Sequence, residues 1–73
     1  MYIGKRVKEI RQAKNMSLTE LSERSGVQLA TLSRIEHHKM PGTIESHMNI
    51  ARALGVDLTE LYQGLSQIPQ SGL

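Results

Sequence analysis

Seventy-three residues with a formal net charge of +2, and without cysteine, phenylalanine or tryptophan, set narrow bounds. A chain this short holds one domain with a small aliphatic core. Disulfides and thiolate metal sites are excluded, no window approaches the roughly 18 apolar residues of a membrane span, and "MYIGKRVKEIR" lacks the apolar stretch of a secretory signal. The expectation is a soluble protein of the cytoplasm.

The charge is unevenly spread. Residues 1–39 hold eight Lys or Arg against four Glu, and residues 40–73 hold Arg52 against Glu45, Asp57 and Glu60. A basic first half suits a polyanion on one side of the domain, although a solvated helix surface has the same composition.

Taken in chain order, Ile3, Val7 and Ile10 recur at helical spacing and predict an amphipathic first helix from Ile3 to about Lys14. "SLTE" then reads as a capping box, in which Ser17 accepts from the Glu20 backbone N–H and Glu20 reaches back to Ser17. A second helix is expected from Leu18 to about Ser25, burying Leu21 and stopping at Gly26, the residue type best able to take a left-handed conformation. After Gly26, a third helix is expected from about Gln28 to Glu36 or His37, with Leu32 and Ile35 inward. Gln28 is a weak N-cap, so that start is poorly marked.

"HKMPGT" reads as a loop. Thr43 is the expected cap of a fourth helix, Ile44 to Leu54, with Ile44, Met48, Ala51 and Leu54 as its apolar stripe and Gly55 as its stop. "DLTE" repeats the capping logic with Asp57 and Glu60 and opens a short fifth helix through Leu61 and Tyr62 to Gly64. These spacings predict an all-α domain over residues 1–64. Residues 65–73, with a Pro and no sustained period, read as a tail or linker stub.

The third helix poses the functional question. Its outer face, Gln28, Leu29, Ala30, Ser33 and Arg34, is neither charged like a solvated surface nor apolar like a core. Two short helices joined by a turn of a few residues containing Gly match the helix-turn-helix unit, whose second helix enters the DNA major groove. An α-helix with its side chains is about 10–12 Å across, and the groove is about 12 Å wide. Short side chains that offer hydrogen bonds or methyl contacts to base edges suit that close approach.

The run "IRQAKNMSLTELS", "SGV", "LSRIE" and "IARALGV", spread over Ile3 to Tyr62, resembles the Cro and phage-repressor type of helix-turn-helix domain, the XRE family. The resemblance implies a compact five-helix, lambda-repressor-like fold that binds double-stranded DNA. It further implies an ion pair between Arg11 and Glu36, with the arginine near the DNA backbone, and close helix crossing at Ser22, where the family usually has Ala.

It also implies base readout from the outer face of the third helix. Arg34 is the candidate for a bidentate contact to guanine, Gln28 for adenine or a phosphate, and Leu29 and Ala30 for thymine methyls, with Ser33 beside them. Phosphate contacts are expected from Arg11, Lys14, Ser17, Leu18, Thr19, Thr31, His37 and Lys39. An alternative for Leu18 and Leu29 is a local staple without base contact. His38 stands where the family often has Gly, and His47 where it usually has an aliphatic residue, so His47 reads as a half-buried core histidine beside Met48.

His37, His38 and His47 do not share a familiar ligand spacing, and no cofactor or metal is expected. No convergent polar set points to an enzyme. The expected function is a sequence-specific transcriptional regulator, a repressor acting as a homodimer on a palindromic operator. Tyr62, Leu65 and Ile68 are its interface candidates, while Leu58 and Leu61 read as core. If the chain is a fragment, a C-terminal effector domain following the tail is a further candidate partner. Competing readings are a restriction-modification controller, or an antitoxin or adaptor that uses the same fold to hold a protein partner.

Overall fold

Local signals cut the chain into five helices: α1 (Ile3–Ala13), α2 (Leu18–Ser25), α3 (Leu29–Glu36), α4 (Ile44–Leu54) and α5 (Leu58–Tyr62). The computed structural model describes residues 3–63, and no strand occurs among them. The Gly64 stop, the boundary placed after it, and Leu65 and Ile68 lie outside the described residues.

The caps explain most of the boundaries. Ser17 Oγ accepts the Glu20 N–H at 3.0 Å, and Thr43 Oγ1 accepts the Ser46 N–H at 3.1 Å. Each satisfies one of the donors that a helix start leaves without an intrahelical partner. The reciprocal half of the first box does not form, because the Glu20 carboxylate pairs with Arg24 one turn on, at 2.7 Å. Asp57 corrects the sequence reading too: its side chain caps nothing, and α5 starts with the Leu61 N–H donating to the Asp57 carbonyl.

Three helices end in the same way. Met16, Lys39 and Val56 each donate a backbone N–H to a carbonyl five residues back, on Arg11, Arg34 and Ala51. The residue before each donor, Asn15, His38 or Gly55, has positive φ. This is the Schellman closure, which uses up helix-end carbonyls and turns the chain sharply.

Ile3, Val7, Leu21, Leu32, Ile35, Ile50, Leu54 and Leu61 are the largest fully buried side chains. Burying such a side chain contributes roughly 1.5–3 kcal/mol relative to leaving it in water. α1 lies against α3, α4 and α5, while α2 packs on α3 and α4, so the two helices of the helix-turn-helix are held from behind. Arg6 adds a polar tie, donating from Nη2 to the Glu60 carbonyl near the end of α5 at 2.8 Å. A cation suits that negative helix terminus.

The face of α4 differs from the expected one. Ala51 and Leu54 are buried, but Ile44 and Met48 are 60% and 55% exposed, and the inward positions they were expected to hold belong to His47 and Ile50. Positions 47, 50, 51 and 54 form an i, i+3, i+4, i+7 set. The helix can bury that set because both ring nitrogens of His47 are hydrogen-bonded, which removes the penalty of sinking a polar ring.

Gly4 of α1 marks the closest approach of two helices. A Cβ there would fall 2.0 Å from the Ile35 carbonyl oxygen of α3. Because the obstacle is backbone, Gly4→Ala is expected to force the helices apart and to destabilise the domain by about 3 kcal/mol in urea titration. A change below about 0.5 kcal/mol, the range of an ordinary surface substitution, would show that the contact yields freely.

Candidate nucleic-acid interface

Gly26, at φ +77°, ends α2, and its N–H donates to the Ser22 carbonyl. The turn is then tightened from both sides: Ser22 Oγ donates to the Val27 carbonyl at 2.6 Å, and the Val27 N–H donates to Ser25 Oγ at 3.1 Å. Ser22 therefore spends its hydroxyl inside the turn. Val27 is buried beneath it, fixing the direction in which α3 leaves.

Gln28 is the residue before α3, and its side chain makes no cap hydrogen bond. With Leu32 and Ile35 buried, the 100° per residue of a helix turns Ala30, Ser33, Arg34 and His37 toward the other side and leaves Leu29 on the flank. Gln28, Leu29, Ala30, Arg34 and His37 are exposed, and Thr31 and Ser33 are half-buried at the margins. Leu29 retains 44% of its surface in water, whereas Leu18 packs partly against the core. His37 Nδ1 lies 2.7 Å from the Ser33 carbonyl and donates to it, closing the last turn of α3.

Arg11 connects this unit to α1. Its Nε and Nη2 donate to the two Glu36 carboxylate oxygens at 2.8 and 3.0 Å, and Nη1 donates to the Met16 carbonyl at 2.9 Å. The Arg11 and Glu36 side chains are only 12% and 5% exposed. The hydrogen bonds it donates to Glu36 hold the Arg11 guanidinium above its ordinary pKa.

Of the other expected phosphate contacts, Lys14, Ser17, Thr19 and Lys39 are exposed. Lys14 and Ser17 sit at the α1–α2 turn, Thr19 in the first turn of α2, and Lys39 just past α3. Tyr62, expected at a self-association surface, is half-buried and turns its hydroxyl onto His47 Nδ1 at 2.6 Å. Among the described residues, no three His, Asp or Glu side chains are grouped to hold a metal, and no helix is long and apolar enough to cross a membrane.

A family model described as helix-turn-helix matches residues 7–61, which takes in α2, the turn and α3 together with most of their supports. The chain belongs to the Cro and phage-repressor, or XRE, helix-turn-helix family. Comparison with curated proteins returned no match. Membership of this XRE family makes the domain a DNA-binding regulatory module.

Sequence reasoning missed three positioning features: the close approach at Gly4, the Arg6 tie to α5, and the double hydrogen bonding of His47. None leaves a periodic or capping signal, since each depends on a partner in another element or loop.

Arg11→Ala would leave the enclosed Glu36 carboxylate without its cation and is expected to cost roughly 3–5 kcal/mol. Guanidinium titration measures the loss. A value under about 1 kcal/mol would put the pair in the class of surface ion pairs.

Proposed function

We propose that this XRE-family domain is a sequence-specific transcriptional regulator, acting as a homodimeric repressor that lays α3 in the major groove of a palindromic operator. The observation that carries this reading is the outer face of α3. Five side chains there, Gln28, Leu29, Ala30, Ser33 and Arg34, are short or neutral except for one arginine, and Gln28 has no capping duty.

In this reading Arg34 pairs with guanine O6 and N7, Gln28 with adenine or a phosphate, and Leu29 and Ala30 with thymine methyls. The half-exposed hydroxyls of Ser33 and Thr31 lie at the groove edge. Ser17 and Thr19, with the N–H groups opening α2, receive one phosphate, and Leu18 fills the space below them. Lys14, His37 and Lys39 flank the backbone. Arg11 has three of its five N–H groups engaged within the domain, leaving two for a phosphate.

One α3 reads only a few base pairs, so a second copy about 34 Å away, one helical turn along the duplex, would supply the remaining affinity and specificity. Tyr62, Leu65 and Ile68 stand as candidates for that association. A second reading, a protein-binding role such as an antitoxin, is favoured by the exposed Ile44 and Met48, which lie one turn apart on α4.

Selection of bound sequences from a random duplex pool tests the proposal. A palindrome with two short arms, bound far more tightly than scrambled DNA, is the expected result. Weak, sequence-blind binding abolished by salt would shift the function to the protein-binding reading.

Arg34→Ala is expected to weaken the selected site by about 1–3 kcal/mol and to relax choice at one base position. Equal losses on every sequence would move Arg34 to the backbone. Lys39→Ala should lower affinity uniformly and flatten the salt slope by about one unit; an unaltered slope removes Lys39 from the phosphate contacts.

A further inference from the structure

His47 is the buried polar residue that neither the recognition face nor the Arg11 pair accounts for, at 4% exposure. Its Nε2 lies 2.6 Å from the Pro41 carbonyl, and its Nδ1 lies 2.6 Å from the Tyr62 hydroxyl. A carbonyl can only accept, so the Nε2–H donates to Pro41, which leaves Nδ1 to accept a hydrogen bond from the Tyr62 hydroxyl. Burial raises the Tyr62 phenol above its ordinary pKa, which keeps that donor protonated. The two rings meet edge to face, with centroids 5.6 Å apart.

The result is a strap joining the α3–α4 loop, α4 and α5. Along the loop, the Lys39 N–H is tied back to the Arg34 carbonyl at 2.8 Å. Two residues later comes the Pro41 carbonyl held by His47. Gly42 follows at φ +81°, lying so near that a Cβ there would be 2.9 Å from Ile35 Cδ1 and 3.3 Å from His47 Nε2. Thr43 caps α4 immediately after. Lys39 thus stands on a short arch anchored at both ends, one end on α3 and the other on His47.

From this geometry we infer that His47 is a positioning residue for DNA-backbone contact, holding the α3–α4 arch and with it Lys39 at a fixed height beside the recognition helix. The inference rests on the proposed phosphate role of Lys39. An aliphatic side chain at position 47 would fill the core but could not hold the Pro41 carbonyl. Fixing the arch in the free protein lowers the ordering cost at binding, so the lysine contact is made without immobilising a loop.

The test compares His47→Leu, His47→Gln and Lys39→Ala in the full chain. Trypsin cleavage of the Lys39–Met40 bond, followed by mass spectrometry, reports the arch without DNA. His47→Leu, folded by circular dichroism, is expected to be cut there about tenfold faster, the equivalent of one lost hydrogen bond in the opening equilibrium. His47→Gln keeps an amide N–H for Pro41 and an oxygen for Tyr62, and should restore most of the protection.

On the selected duplex, His47→Leu should flatten the salt slope by about one unit, and Lys39→Ala should then add little to it. Unchanged cleavage in folded His47→Leu, or losses from the two substitutions that simply add, would overturn the inference. If His47→Leu does not fold, His47→Met, an unbranched core-filling side chain that likewise has no N–H for Pro41, takes its place, and unchanged cleavage at Lys39 in that variant overturns the inference equally. Failure of the unsubstituted protein to bind any duplex would overturn the functional reading by itself, while the cleavage comparison still judges the strap.

Discussion

The Arg11 guanidinium is the joint on which the arrangement depends. One planar group, extending from α1, bonds the end of α3 through Glu36 and the approach to α2 through the Met16 carbonyl. Both helices of the helix-turn-helix are therefore referenced to a third, and the angle between them is not left to the short turn alone. The two parallel N–H donors of the guanidinium match the two carboxylate oxygens, which gives the joint direction as well as strength. A lysine there would supply the charge without the fork.

Around that joint, polar atoms bear much of the alignment in a core with few large side chains. Lacking Phe and Trp, the domain buries mainly branched aliphatics, whose attraction is non-directional. Ser22 on the turn, Arg6 on the α5 carbonyl and His47 between loop and α5 each add a bond with a definite direction. Apolar packing pulls the helices together, and these few bonds choose how they meet.

This division also explains what the sequence could reveal. Helices α1 to α4 were legible because their signals are local: periodic Ile3, Val7 and Ile10, the Ser17 and Thr43 caps, and Gly26 and Gly55 at the stops. The outer face of α3 was legible by subtraction, once Leu32 and Ile35 fixed the inner one. The face of α4 was not. Ile44 and Met48 satisfy helical spacing as well as His47 and Ile50 do, and hydrophobicity favours the first pair; the decision falls to Pro41 and Tyr62, whose positions only the folded chain defines. For the same reason the Asp57 cap misled, since a capping residue type does not ensure a capping rotamer. The Arg11 partner, 25 residues away, entered through family resemblance and not through spacing.

The two faces of α3 consequently answer to different demands. Leu32, Ile35 and Glu36 are fixed by the core, by the backbone contact at Gly4 and by Arg11, so they tolerate little change. Leu29, Ala30 and Arg34 are exposed. A scaffold determined this fully from behind can present new side chains in front without refolding. The exposed Leu29 is consistent with that separation, because a half-solvated leucine gives the free domain little stability and gains its value only when a partner covers it. On this argument the exposed face and the fold are nearly independent properties of one eight-residue helix.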